Sequence, residues 1–68
     1  MSETIRINGS DEPFAGGSVA ALIDARGMAG KRGLAVAVNG AVVPARRWPE
    51  TILAPGDEVE IVRPFGGG

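Results

Sequence analysis

Seven basic and eight acidic side chains in 68 residues, a net charge of −1, give one small domain with no charged stripe to attract nucleic acid or an anionic membrane. The chain has neither cysteine nor histidine, which excludes a disulfide framework, a cysteine-based zinc site and the commonest general base. A domain of this size buries only about 60% of the surface that its unfolded chain exposes, so a thin core and no active site of its own are expected.

The N-terminal MSETIRING is polar and lacks the apolar stretch of a signal peptide. No apolar run approaches the roughly 20 residues of a membrane span. A cytoplasmic location is the expectation. Eleven glycines and five prolines point to many turns, while 44% hydrophobic content argues for a folded chain.

Thr4 to Asn8 alternates, with Ile5 and Ile7 on one face, the pattern of a half-buried strand. Asn8-Gly9 is a strong hairpin signal because both residues tolerate positive φ. The return strand, Asp11 to Phe14, contains Pro13 and is expected at a sheet edge. Ser18 is a suitable N-cap, and Val19, Leu22 and Ile23 form one helical stripe of about two and a half turns. Asp24 and Arg26 fall off that stripe, in water. Gly27 fits the position after the helix, with Met28 folding back on Ile23. The Gly16-Gly17-Ser18 entry superficially suits a phosphate, but the Walker spacing and its lysine are absent.

Leu34 to Val38 is an apolar strand with alanines, Ala35 and Ala37, on its second face. Such small residues suggest a central strand crossed closely by another element. Asn39-Gly40 repeats the hairpin signal, Ala41 to Val43 returns, and Pro44 ends the strand. Ala45 to Glu50 is a polar excursion carrying Trp48, the one tryptophan, expected as a lid on the core. Ala54-Pro55-Gly56-Asp57 is a turn. Glu58 to Arg63 is the last strand, with Val59 and Ile61 facing inward.

Two hairpins and a short helix cannot bury their apolar faces separately. The expected fold is therefore α+β, a mixed sheet of four to five strands crossed by one helix, with the last strand parallel to the first. Residues 1–63 would form this body and 64–68, Pro64-Phe65-Gly66-Gly67-Gly68, a glycine-rich tail. Glycine lacks a Cβ, so such a tail is slim enough to thread a narrow tunnel and present a terminal carboxylate.

Three stretches carry a family likeness: VNGAVVP (Val38 to Pro44) followed by Trp48, PGDEVEIV (Pro55 to Val62), and the Gly67-Gly68 end. With the opening IRING, they make the chain resemble the ThiS-type sulfur carriers of thiamin biosynthesis, which have the ubiquitin-like β-grasp fold. Gly66 departs from the pattern, standing where family members often carry a bulkier residue. Pro64-Phe65 is also similar to the approach to the tail in the MoaD-type small subunit of molybdopterin synthase.

The resemblance implies a protein co-substrate and not an enzyme. The Gly68 carboxylate would be adenylated by a ThiF-type enzyme using ATP. A cysteine-derived persulfide would convert it to a thiocarboxylate, and a ThiG-type thiazole synthase would take the sulfur. Gly67 and Gly66 would give access to tunnels, and Phe65, with Pro64 and the exposed face of the last strands, would meet the enzymes. No cofactor or metal bound by the chain is implied. The alternatives are the MoaD-like subunit and a ubiquitin-like protein modifier.

Overall fold

Alternation places Ile5 and Ile7 on one face of β1 (Thr4–Ile7), where both are buried, and leaves Thr4 and Arg6 exposed. The computed structural model describes residues 3–30 and 32–63. β1 turns at Asn8-Gly9, with φ of 51° and 86°, into β2 (Ser10–Pro13), setting Ile7 opposite Ser10. Positive φ at both central residues gives the turn the same hand of twist as its flanking strands. β2 lies at the sheet edge, where Pro13 withdraws no donor from an interior ladder.

Helix α1 (Val19–Ala25) starts at Ser18, whose Oγ accepts a hydrogen bond from the Ala21 N–H at 3.1 Å. Its seven residues make about two turns, shorter than the stripe alone suggests. The early stop has a local cause. Met28 N–H donates to the Ile23 carbonyl and Gly27 N–H to the Asp24 carbonyl, both at 3.0 Å, with Gly27 at φ 73°. This is the paired closure of a Schellman motif, and it requires a left-handed residue that glycine adopts without strain. Met28 is thereby folded into the core. Arg26 is not simply solvated, because its guanidinium meets both carboxylate oxygens of Glu12 at 2.9 and 3.2 Å.

A second Asn-Gly turn, Asn39 at φ 51° and Gly40 at φ 85°, joins β3 (Ala35–Val38) to β4 (Ala41–Val43). Val36 is buried on the helix side of β3. The alanine face does not fit the sequence expectation. Ala35 is exposed and Ala37 half-buried, so that side of the sheet is open and no element crosses it among the described residues. The single helix can cover one face only.

Ala45–Glu50 forms a 3₁₀ helix where a polar excursion was expected. Pro49 inside it and the absence of an apolar period hide this element from periodicity. Trp48 packs against the core, half-buried, and its indole N–H donates to the Val43 carbonyl at 2.8 Å. The chain then passes the start of α1: Val19 N–H donates to the Thr51 carbonyl and Leu53 N–H to the Gly17 carbonyl, each at 2.9 Å. The Ala54–Asp57 turn follows, with Gly56 at φ 86° and Asp57 Oδ2 accepting from the Ala54 N–H at 2.8 Å.

β5 (Glu58–Val62) enters the middle of the five-stranded sheet, whose order is β2-β1-β5-β3-β4. It runs parallel to β1, as expected for the last strand, and antiparallel to β3. The core joins Ile5, Ile7, Val36, Val59 and Ile61 of the sheet to Val19 and Ile23 of α1, closed by Met28 and Leu53.

Candidate functional site

The tail residues singled out in the sequence, Pro64, Phe65, Gly66, Gly67 and Gly68, lie outside the described residues. What the structure describes is the strand that leads to them. β5 is held along both edges, by β1 through the pairs Arg6–Glu58 and Ile7–Val59, and by β3 from Val38–Val59 out to Ala35–Val62. Val59 and Ile61 anchor it in the core at 0% and 6% exposure.

The parallel ladder with β1 ends at Ile7, because Asn8 turns into the left-handed conformation. The Asn8 side chain continues it. Ile61 N–H donates to Asn8 Oδ1 at 2.8 Å, and Asn8 Nδ2 donates to the Ile61 carbonyl at 3.2 Å. The backbone of Ile61 therefore has partners on the β1 side although no β1 residue lies opposite it.

The other side chains of β5 point to the open face of the sheet. Cross-strand register divides this face in two. Val62 is opposite Ala35, and Ala37 is opposite both Glu60 and Val42, so Val42, Ala37, Ala35 and Val62 make an apolar half. Val42 and Val62 are 76% and 60% exposed, large apolar groups left in water. On the other half Arg6 stands opposite Asp11 and Glu58, with its Nε 3.4 Å from Asp11 Oδ1. The sequence expectation named this face only in general terms. Val42 and Val62 themselves went unnamed, although alternation already sets Val62 outward with Glu58 and Glu60.

An apolar groove of about 330 Å³ lies between α1 and the β1–β2 hairpin, walled by Ile5, Ile7, Phe14 and Leu22. Its two hydrogen-bonding side chains are engaged, Glu12 with Arg26 and Ser18 with the Ala21 N–H. It offers no acid–base pair. Among the described residues no three acidic side chains come together as a metal site, and no helix is long and apolar enough to cross a membrane. Arg46, Arg47 and Arg63 are exposed.

The sequence profile of the ThiS family matches residues 5–68. Among solved structures the chain is similar to the crystal structure of the thiamine biosynthesis protein ThiS from Geobacter metallireducens. The two share 26% identity and superpose with a TM-score of 0.80, over 96% of this chain and 99% of that one. Comparison with curated proteins gives no match. A profile match that spans the sheet, the helix and the glycine end, together with a shared β-grasp fold, shows that the chain belongs to the ThiS family.

Proposed function

We propose that this protein is a sulfur carrier of thiamin biosynthesis, with the carboxylate of Gly68 as its working group. The observation that carries the reading is the extent of the family match, which runs through the body and on to Gly68. Residues 1–63 are then the body that partner enzymes recognise, and 64–68 the tail that enters their active sites.

In this reading the Gly68 carboxylate attacks the α-phosphate of ATP on a ThiF-type adenylating enzyme, and pyrophosphate leaves. A free carboxylate is a poor acyl donor, and the acyl-adenylate makes AMP its leaving group. The terminal sulfur of a cysteine-derived persulfide then attacks the acyl carbon and expels AMP. Cleavage of the sulfur–sulfur bond by a thiol leaves the thiocarboxylate, from which a ThiG-type synthase draws sulfur for the thiazole. The chain contributes no acid or base to these steps and binds no cofactor in them. Its own tasks are recognition and reach.

The glycines supply reach, since Gly66, Gly67 and Gly68 present no side chain to a narrow tunnel. Recognition falls to the open face, where Val42, Ala37, Ala35 and Val62 form a small apolar area that includes the last residue of β5. Burying Val42 and Val62 against an enzyme would contribute about 25 cal/mol for each Å² of apolar surface removed from water.

Intact-mass analysis of the protein from its native cell tests the reading. One oxygen replaced by sulfur, confined to the C-terminal peptide, is the expected result. Thiamin-independent growth of a strain whose chain ends at Gly67 would rule the reading out. Co-purification with a large molybdopterin synthase subunit would instead favour the MoaD-like alternative, and lysine-linked adducts a protein modifier.

A further inference from the structure

The two Asn-Gly turns have the same backbone and grip the same strand at opposite ends. Asn8 and Asn39 both have φ of 51°. Asn39 holds the start of β5: its Oδ1 accepts from the Glu58 N–H at 2.9 Å and its Nδ2 donates to Asp57 Oδ1 at 3.1 Å. Asn8 holds the end, through the N–H and carbonyl of Ile61, across 53 residues of sequence. Neither turn needs the amide for its own geometry, because glycine adopts positive φ at least as readily. The amides do something else.

At Asn8 that role is specific. A strand residue offers its neighbour one donor and one acceptor, and the Asn8 amide offers the same pair to Ile61. An aspartate of the same shape would keep the acceptor and set an oxygen against the Ile61 carbonyl. Without the amide, the β1 edge of β5 is paired only as far as Val59. β3 still holds the other edge to Val62, so the strand end would remain attached but swing about one side.

We propose that Asn8 is a positioning residue, whose side chain stands in for β1 backbone and fixes the direction in which Ile61 and Val62 deliver the C-terminal tail to the activating enzyme. The proposal rests on Gly68 being the activated group. Its physical basis is that a group tethered to a strand reaches a fixed reaction point most often when the strand end has one orientation. Body docking on the open face is left intact, so the loss should fall on turnover and not on recognition.

The test compares full-length wild type, Asn8→Gly and Asn39→Gly, with Asn8→Asp as a second variant that keeps the turn and side-chain shape. The adenylating enzyme is assayed by ATP–pyrophosphate exchange at a temperature where every variant is folded. For Asn8→Gly and Asn8→Asp, kcat is expected to fall about tenfold with KM for the carrier within about twofold. Asn39→Gly, which loosens the far end of β5, should keep kcat within about twofold of wild type. Amide exchange at Ile61 should quicken about tenfold in Asn8→Gly while Val36 is unchanged.

An active wild type with undiminished kcat in both Asn8 variants overturns the positioning role alone. So does an equal fall in Asn39→Gly, which would mark a general loosening of the sheet. A wild-type chain that is not adenylated at all overturns the activation reading, and the positioning role with it.

Discussion

Asn39 and Glu58 exchange two hydrogen bonds: the Asn39 N–H donates to the Glu58 carbonyl at 2.7 Å, and the Glu58 N–H donates to Asn39 Oδ1 at 2.9 Å. One residue thus shapes a hairpin turn and secures the first residue of a central strand. Replacement by alanine removes the side-chain bonds and puts a Cβ residue without a compensating amide at positive φ. The expected cost is about 2 kcal/mol, from a left-handed penalty of roughly 1 and a hydrogen-bond loss of similar size. Urea unfolding would measure it, and glycine at the same position should cost less.

Ile5 is 1% exposed, at the floor of the core beneath α1. Truncation to alanine should cost about 2–5 kcal/mol, a large share of the roughly 5–15 kcal/mol by which small domains are stable. Ile5→Val should cost only about 0.5–1.5 kcal/mol. A thermal melt that ranks the two the other way would contradict the packing described.

Trp48 combines core contact with a hydrogen bond to the Val43 carbonyl. Trp48→Phe keeps most of the ring contact and leaves that carbonyl without its indole donor. A loss of about 1 kcal/mol is expected, read by circular dichroism. As the one tryptophan, Trp48 should also report unfolding of the wild type by fluorescence, with a midpoint that coincides with the dichroism transition if unfolding is two-state.

Val42 and Val62 carry no core burden. Glutamate at either position should change stability by no more than about 0.5 kcal/mol. If the open face docks on the adenylating enzyme, the same substitutions raise KM for the carrier. Unchanged KM in Val42→Glu and Val62→Glu would place the docking surface elsewhere.

The Glu12–Arg26 pair ties β2 to the end of α1, with both side chains about one-third exposed. Solvent screening at that exposure holds the expected contribution to about 0.2–1 kcal/mol, although Arg26 Nη1 meets both carboxylate oxygens of Glu12. A double-mutant cycle with Glu12→Gln and Arg26→Met would measure the coupling, which should shrink in high salt.

Most of the fold was legible because its signals are local. Asn8-Gly9 and Asn39-Gly40 announce positive φ, and the structure has it at all four residues. Ser18 and Gly27 mark the two ends of α1, and both make the expected backbone contacts. Alternation put Ile5, Ile7, Val59 and Ile61 inside. The Ala45–Glu50 helix was not legible, because a 3₁₀ turn built around Pro49 has no apolar period. The alanines of β3 misled for a related reason: small side chains accompany a close crossing or an open face equally well, and only the placement of α1 separates the two.

By itself the sequence determined the strand segments, helix α1 and the turns between them, since backbone chirality and side-chain periodicity act within a few residues. Its resemblance to the ThiS family also pointed to the tail as the reactive part. Only the tertiary structure decided that β5 lies between β1 and β3, that Val42 and Val62 share one open face, and that Asn8 reaches Ile61. Those relationships join residues distant along the chain, where no local pattern records the partner and only the closing of the sheet supplies it.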